Sequence, residues 1–309
     1  MPIPVFSRAH VEAAVSPVRA LEAVRDAFVA YASGDWTMPP KVYVPAYPAG
    51  DFRAMQALDG GHALLKWVTS FPGNPAQGLP TVSGLVLLSD ASNGMLVAAL
   101  DAGAVTALRT GAAAVLAAET LGTDGHAAVI GAGVNGRAVA RTFAARGRRV
   151  VVHDVHETRA RTVADEVGAA VVARAEALAA PVVVTVTPGR EPVFAEGSLR
   201  PGQHVSLMGA DGPGKAEIAV EELARVRVFC DDWEQASHNG DLSHAVEAGR
   251  IARADATQLG DVLAGTSEGR RGEDEITVFD STGLAIQDLA VALAAVERAA
   301  ELDLPTIEL

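Results

Sequence analysis

The chain has 309 residues, 49% of them apolar and 20% charged, so it can bury a substantial core and is not a disordered polymer. That length accommodates two domains, or one large domain with an appendage. A formal charge of −13 argues against a nucleic-acid partner, because gripping a phosphate backbone needs a basic face.

The single cysteine, Cys230, rules out an internal disulfide framework and fits a reducing compartment, where it acts as a small core filler. The first thirty residues mix Arg8, Glu12, Arg19, Glu22, Arg25 and Asp26 with apolar residues, which suits an amphipathic helix and not a signal peptide. No run approaches the roughly 18 apolar residues of a membrane span. The expectation is a cytoplasmic protein with no membrane partner. Lysine stands out by its scarcity: only Lys41, Lys66 and Lys215, against 22 arginines. An ammonium is compact and its pKa is tunable, whereas a guanidinium stays charged. The three positions either carry information or reflect biased codon usage.

In chain order, Ser16 to about Ser33 reads as the opening helix. Pro/Gly punctuation follows: Pro39-Pro40, Pro45, Pro48, Gly60-Gly61, Pro72-Gly73, Pro75 and Gly78 to Pro80. The apolar runs between, Ala63–Val68 and Val82–Leu88, read as strands of a mixed or antiparallel sheet, and Asn93-Gly94 signals a hairpin into Met95–Leu100. Past about residue 113 the rhythm becomes strand–helix alternation. Strands are expected at Ala127–Ile130, Arg149–His153, Ala169–Val172, Val182–Thr187, Val205–Met208 and Val226–Phe229. Helices are expected around Arg137–Arg146, Glu157–Val167 and Val220–Ala224. Nearly all-apolar strands alternating with helices predict a parallel sheet covered on both faces. An Ala/Leu-rich helix from Leu284 to about Glu301 closes the chain and can return to the first domain.

Gly131-Ala-Gly133-Val-Asn135-Gly136 follows the strand Ala127–Ile130 and opens a helix, the context a G-x-G-x-x-G fingerprint requires. Gly131 permits the tight turn, Gly133 lets the backbone approach a pyrophosphate, and Gly136 lets helix meet strand. The helix N-terminus then offers free N–H groups to the phosphates. Asp154 lies 21 residues beyond Gly133 at the end of the second strand. An acid there accepts the ribose 2′-hydroxyl of NAD and repels the 2′-phosphate of NADP, so NAD(H) is favoured, although Arg159 or Arg161 could serve a phosphate. Thr185 and Thr187 end a later strand, where they suit either the cofactor crevice or ordinary turn chemistry.

A second constellation precedes the nucleotide motif: Lys41 after a Pro-Pro pair, Arg53, Lys66 and Arg109, the last placed before a long Ala-rich helix. Lys66 sits in Leu64-Leu65-Lys66-Trp67-Val68, and a buried ammonium needs an anionic partner. That partner is either a bound carboxylate or a structural Asp or Glu. Arg109 can hold a carboxylate bidentately or sit at a helix end. Asp211, in Gly209-Ala-Asp211-Gly-Pro-Gly-Lys215 just after a strand, is placed to exchange a proton with a substrate nitrogen or to serve as a turn residue. The histidines show no metal-ligand spacing beyond His153/His156, and no nucleophilic serine or cysteine signature occurs.

These residues together resemble the ornithine cyclodeaminase/μ-crystallin family over essentially the whole chain. The matching stretches are Met38-Pro-Pro-Lys41, Lys66 with Ser70-Phe-Pro-Gly-Asn74, Gly78-Leu-Pro-Thr-Val82, Leu108-Arg-Thr-Gly-Ala112, Gly131-Ala-Gly133, Gly209-Ala-Asp211-x-Pro-Gly-Lys215 and Thr277-Val-Phe-Asp-Ser281-x-Gly283. The resemblance implies a homodimer of two-domain chains. Residues 1–113 with 284–309 would form an α+β substrate-binding and dimerisation domain, and residues 114–283 a Rossmann-type, doubly wound parallel-sheet domain. It implies that Lys66 and Arg109 hold a substrate carboxylate, that Asp211 is the acid/base, and that Ser281 and Gly283 lie near the nicotinamide. True ornithine cyclodeaminases differ in placing arginine at the Lys41 position and an acid near Arg53. Lys41 instead resembles the alanine-dehydrogenase-like and imine-reductase-like members. A cation at Arg53 would repel ornithine's distal ammonium unless Asp51 turns inward.

The expected activity is an NAD(H)-dependent oxidoreductase acting at the carbon–nitrogen centre of a small α-amino or α-imino acid, with Asp211 and Lys41 catalytic and Lys66, Arg109 and Arg53 binding substrate. The alternatives are an ornithine or lysine cyclodeaminase and a non-catalytic μ-crystallin-like binder of NAD(P)H and a small ligand.

Overall fold

A computed structural model describes residues 2–189, 191–210, 212 and 214–309. The chain divides into two compact units, Met1–Arg109 with Leu284–Leu309, and Thr110–Gly283.

The first unit opens with β1 (Ile3–Phe6), α1 (Arg8–Ala14) and α2 (Pro17–Ala32). Ser16 caps α2 by accepting from Arg19 N, and Pro17 takes the first helical position, where its missing N–H has no intrahelical partner to lose. Then come β2 (Val42–Ala46), β3 (Gly50–Leu58), β4 (His62–Ser70), β5 (Val82–Asp90) and β6 (Leu96–Asp101). Helix α3 (Ala102–Leu121) crosses the boundary between the units.

The second unit continues with β7 (Ala127–Ile130), α4 (Val134–Ala145), β8 (Val150–His153), α5 (Glu157–Val167), β9 (Ala170–Val171) and α6 (Arg174–Leu178). After them run β10 (Val182–Thr185), β11 (His204–Leu207), α7 (Val220–Leu223), β12 (Arg227–Cys230), α8 (Trp233–Asn239), α9 (Asp241–Glu247), β13 (Ala256–Gln258), α10 (Leu259–Leu263) and β14 (Thr277–Asp280). The chain then returns to the first unit through α11 (Ala285–Val296) and β15 (Thr306–Ile307).

The first sheet has the order β15-β1-β6-β5-β4-β3-β2. It is mixed: β1 runs parallel to β6, and the other neighbours are antiparallel. Burial alternates along β3, where Asp51, Arg53, Met55 and Ala57 point to one buried face. Helix α11 packs against β3, β4, β5 and α2, so the last helix belongs to the core of this unit.

The second sheet has the order β13-β12-β14-β11-β10-β7-β8-β9 and is parallel throughout. The direction of progress reverses between β7 and β10, which is the topological switch point where open α/β sheets bind ligands. Strands β7, β10, β11 and β14 are buried along their whole length, as strands covered on both faces must be. An α/β architecture with a Rossmann-type parallel sheet and a second α+β unit is thus the one the sequence predicts.

Two sequence expectations fail here. Arg109 does not precede a helix; it lies inside α3, because Asp101 accepts from Ala104 N and starts the helix at Ala102. And α3 does have the length and composition of a membrane span, but 78% of that window is buried within the protein, which accounts for its apolarity.

His204 at the start of β11 is wholly buried, with Nδ1 2.9 Å from Thr277 Oγ1 and Nε2 3.0 Å from Ser206 Oγ. Burial, then the nearby Arg270, pulls its pKa down from 6.5 to about 3. The folded state therefore binds fewer protons than the unfolded chain between those values, and stability is lost as pH falls below about 6.5. In urea unfolding from pH 6.5 to 4.5, the advantage of wild type over His204→Asn should shrink by about 1.4 kcal/mol per pH unit. A constant difference would show that His204 is protonated in the fold.

Candidate active site

The first unit builds a cluster of buried charges. Register pairs Met55 with Lys66 and Arg53 with Val68, so Arg53 and Lys66 share the buried face of adjacent strands. Lys66 is 1% exposed, and its Nζ donates to Asp288 Oδ1 of α11 at 2.8 Å. The same oxygen lies 3.7 Å from Arg109 Nε. Of the two partners left open for Lys66, the structural aspartate is thus present. Arg109 also donates through Nη1 to Gln287 Oε1 at 3.4 Å. Arg53 is buried and does not act as an unopposed cation: Asp51 has turned inward and takes Nε at 2.5 Å and Nη2 at 3.2 Å, while the guanidinium stacks over Tyr43. Lys41 lies half-buried just before β2.

Among the described residues, three cations (Arg53, Lys66, Arg109) face two carboxylates (Asp51, Asp288), an excess of one positive charge. Among the described residues, Arg109 Nε, Gln287 Nε2 and Asp288 Oδ2 are buried without a hydrogen-bond partner. Burial lowers the Lys66 pKa to about 8; Asp288 opposes that shift, and Arg109 and Arg53 add to it. An anion bearing two acceptor oxygens would satisfy both the charge and the orphaned donors.

The second unit builds a glycine loop at the switch point. Gly131 has φ of 104°, and a Cβ there would lie 2.7 Å from Val186 O, so only glycine lets β7 turn against the end of β10. A Cβ on Gly136 would run into the Gly131 carbonyl, whereas one on Gly133 would meet nothing within 4 Å. Gly133 therefore faces open space, and it caps α4 with no side-chain hydrogen bond and no acid in the first turn. The uncapped N–H groups fit a diphosphate. Asn135, half-buried, stands in that first turn. Asp154 holds the loop from the next strand: Oδ2 accepts from Ala132 N and Oδ1 from His156 N, both at 2.7 Å. Each oxygen keeps a further lone pair for a ribose hydroxyl.

Beyond the loop lies a chain of buried acids that sequence reasoning missed. Glu217 Oε1 accepts from Thr187 N and Thr187 Oγ1, each at 2.7 Å, and Oε2 accepts from Gly209 N at 2.6 Å. It thereby ties the ends of β10 and β11 together. Thr185 is wholly buried beside it, so Thr185 and Thr187 face Glu217 in this structure. Asp241 Oδ1 in turn accepts from Glu217 N at 2.6 Å and Ile218 N at 3.2 Å, and Asp280 Oδ2 accepts from Leu242 N at 2.9 Å. Asp231 Oδ2 accepts from Ser281 Oγ at 3.0 Å and Gly283 N at 2.8 Å. Ser281 and Gly283 are thus held by Asp231 after β12. Burial raises the pKa of Glu217, Asp241 and Asp280, and each acid's neighbours along the chain push the same way at Asp241 and Asp280. Nothing in the spacing of these acids marks them in the sequence, because they meet only through strand order.

Asp211 lies outside the described residues. The loop that carries it is anchored at Gly209 by Glu217, and beyond it His244 Nε2 lies 2.8 Å from Lys215 O and Ala216 N donates to Gly189 O at 3.3 Å. A crevice of about 1060 Å³ lies at the opposite, amino end of this sheet. Its half-buried arginines serve the fold: Arg270 donates to the carbonyls of Leu121 and Gln203, and Arg148 to those of Gly125 and Thr123.

Fold and loop define a Rossmann-type α/β protein with a second, α+β unit that houses a buried cation cluster. The chain belongs to the ornithine cyclodeaminase/mu-crystallin family, whose model matches residues 4–303. It is 41% identical over 307 residues to an alanine dehydrogenase of Archaeoglobus fulgidus, covering 96% of this chain and 94% of the relative. Among solved structures, an archaeal alanine dehydrogenase dimer with bound NAD superposes with a TM-score of 0.93 at 40% identity, covering 100% of this chain and 99% of that one. A Delta(1)-pyrroline-2-carboxylate reductase of Thermococcus litoralis, in complex with NADH and L-proline, superposes with a TM-score of 0.92 at 27% identity, covering 99% and 100%.

Asp241, raised from 3.8 to about 8, keeps its proton in the fold where the unfolded chain has released it, so stability is lost as pH climbs between those values. Asp241→Asn retains the oxygen that accepts from Glu217 N and Ile218 N but has no proton to lose. Its stability relative to wild type in urea unfolding should rise steadily from pH 5 to pH 8. A flat difference would mean that Asp241 is ionised in the folded protein.

Proposed function

We propose that this protein is an NAD(H)-dependent oxidoreductase that acts on the C–N centre of a small α-amino or α-imino acid, as an amino-acid dehydrogenase or ketimine reductase. The observation that carries the reading is the buried cluster in which Lys66 and Arg109 share the single carboxylate of Asp288, while Arg109 Nε and Gln287 Nε2 remain without a hydrogen-bond partner. It suits a substrate carboxylate, and the relatives named above are a dehydrogenase and a reductase of such compounds. The glycine loop, the uncapped α4 and Asp154 support the dinucleotide, and Asp154 supports NAD(H) over NADP(H).

In this reading Lys66 and Arg109 fix the carboxylate, which orients the adjacent carbon for reaction. The glycine loop and Asp154 would hold NADH, which when bound would supply the hydride for the imine carbon. Asp211 delivers the proton to the nitrogen, so that the C=N bond becomes an amine, and takes it back in the oxidative direction. Lys41 polarises a carbonyl or acts as a second acid/base. The inward carboxylate of Asp51 is the one observation that favours a cyclodeaminase instead, since it offsets the repulsion Arg53 would exert on a distal ammonium.

Two absorbance panels separate the readings. NADH is offered with small 2-oxo acids plus ammonia or methylamine, and with cyclic ketimine carboxylates; separately, catalytic NAD is offered with ornithine or lysine while released ammonia is assayed. Net NADH loss in the first panel is the expected outcome, with Asp211→Asn lowering kcat at least a hundredfold while NADH binding is retained. Ammonia release without net cofactor change in the second panel would make the protein a cyclodeaminase. Ligand-induced stabilisation with no turnover in either panel would make it a binding protein.

We also propose that the chain pairs with a second copy through the outer face of the first sheet. Val42, Val44, Leu65, Trp67 and Leu85 are exposed there by 52, 46, 39, 43 and 50%, and register places them on one face as neighbours. The archaeal relative is described as a dimer. A second copy would cover this face isologously. Sedimentation should give a dimer, and Trp67→Glu combined with Leu85→Glu should give a folded monomer; a variant that stays dimeric places the interface elsewhere. The buried setting of α3 marks it as a core helix, and the dehydrogenase and reductase relatives support a cytoplasmic protein.

A further inference from the structure

We propose that Asp288, assisted by Gln287, is the positioning residue of the carboxylate site, so that the last helix of the chain both places and holds charged the ammonium that meets the substrate. The inference rests on the oxidoreductase reading only for the identity of the ligand; the placement of Lys66 is a property of the protein alone.

The geometry is that of one acceptor shared by two cations. Asp288 Oδ1 takes Lys66 Nζ at 2.8 Å and lies 3.7 Å from Arg109 Nε, while Gln287 Oε1 takes Arg109 Nη1 at 3.4 Å. Asp288 and Gln287 are both fully buried, and they are neighbours on α11. Gln287 Oε1 also accepts from Leu284 N, which pins this side chain to the start of the helix. Lys66 and Arg109 come from β4 and α3, with no local sequence relation to α11. Without a shared anion the two cations would repel each other in a desolvated space. With it, their spacing is set before any ligand arrives, which is the preorganisation a carboxylate site needs.

Among the described residues, few charges bear on Lys66. Asp288 on α11 favours the ammonium, whereas Arg109 on α3 and Arg53 on β3 oppose it; Asp51 is taken up by Arg53. From β5 the residue opposite is Val86, which is apolar. Asp288 is thus the carboxylate that keeps Lys66 protonated at neutral pH. In its absence nothing among these groups opposes desolvation and the two guanidinium groups, so the proton affinity of Lys66 falls and with it the attraction for a carboxylate.

The scarcity of lysine makes this directly measurable. Full-length protein labelled with 13C-lysine shows three Cε resonances, from Lys41, Lys66 and Lys215, and Lys66→Arg identifies one by its disappearance. In wild type the Lys66 resonance should titrate near pH 8. Asp288→Asn should lower that midpoint by one pH unit or more, a tenfold or greater loss of proton affinity. The same variant, assayed with NADH, ammonia and pyruvate, should raise the pyruvate KM about fivefold or more at pH 8, as the charged fraction of Lys66 falls, and recover most of the loss at pH 6, where Lys66 is again charged. A defect in packing alone would not recover on acidification.

An unmoved Lys66 midpoint in Asp288→Asn overturns the proposal. Should Asp288→Asn fail to fold, Asp288→Glu decides: it keeps Lys66 charged but displaces it by a methylene, so the pyruvate KM rises severalfold, and an unchanged KM overturns the proposal. Absence of turnover with every carboxylate in wild type would remove the oxidoreductase reading, and the lysine titration would still test the placement.

Discussion

A buried ammonium has to be matched by an anion, and in this protein the match is made across almost the whole length of the chain. Lys66 in β4 meets Asp288 in α11 at 2.8 Å, both essentially without solvent exposure. An ionised group moved out of water loses several kcal/mol of hydration, which only close charge and good geometry can offset. The contact therefore does not tolerate a loosely docked last helix. It obliges the chain, after 174 residues of parallel-sheet unit between Thr110 and Gly283, to return and close the unit that it began. The discontinuous organisation and the buried cation cluster express the same constraint.

The second unit solves a comparable problem with acids. Glu217, Asp241 and Asp231 accept from main-chain N–H groups beyond the carboxyl ends of β10, β11 and β14, and Asp280 from Leu242 N in the first turn of α9. Loops at that edge of a parallel sheet carry polar backbone into partly dry surroundings, where each N–H needs an acceptor. Carboxyl groups supply acceptors of high capacity, at the cost of desolvation that pushes three of them toward the protonated form. The result is a rigid edge on which the Gly209–Lys215 loop is anchored at both ends. Rigid support beneath a functional loop is how a fold gives short segments the accuracy that chemistry needs.

The Arg53–Asp51 pair shows how little separates specificities within one family. In the sequence Arg53 reads as a cation that would repel a distal ammonium unless Asp51 turns inward. In the structure Asp51, two residues earlier on the same strand, shares its face and neutralises it. Residues i and i+2 of a strand always point the same way, so the pairing was available to inspection of the alternation. What the alternation could not supply was the burial of both side chains, which depends on the helices laid over that face.

The sequence by itself determined six of the eight strands of the parallel sheet, all but β13 and β14, together with the glycine loop and the position of Asp154. These follow from local periodicity and from steric rules acting over a few residues: Gly131 alone tolerates its φ, and Gly136 alone lets α4 approach β7. It also marked Lys66, because an ammonium in an apolar strand is a local contradiction. Tertiary structure decided everything that depends on residues far apart meeting: that the partner of Lys66 is Asp288, that Arg109 lies within α3, and that Thr187 and Gly209 share Glu217. Electrostatic pairing in a dry interior acts between whatever the fold brings together, and the linear spacing of the charges carries no record of it.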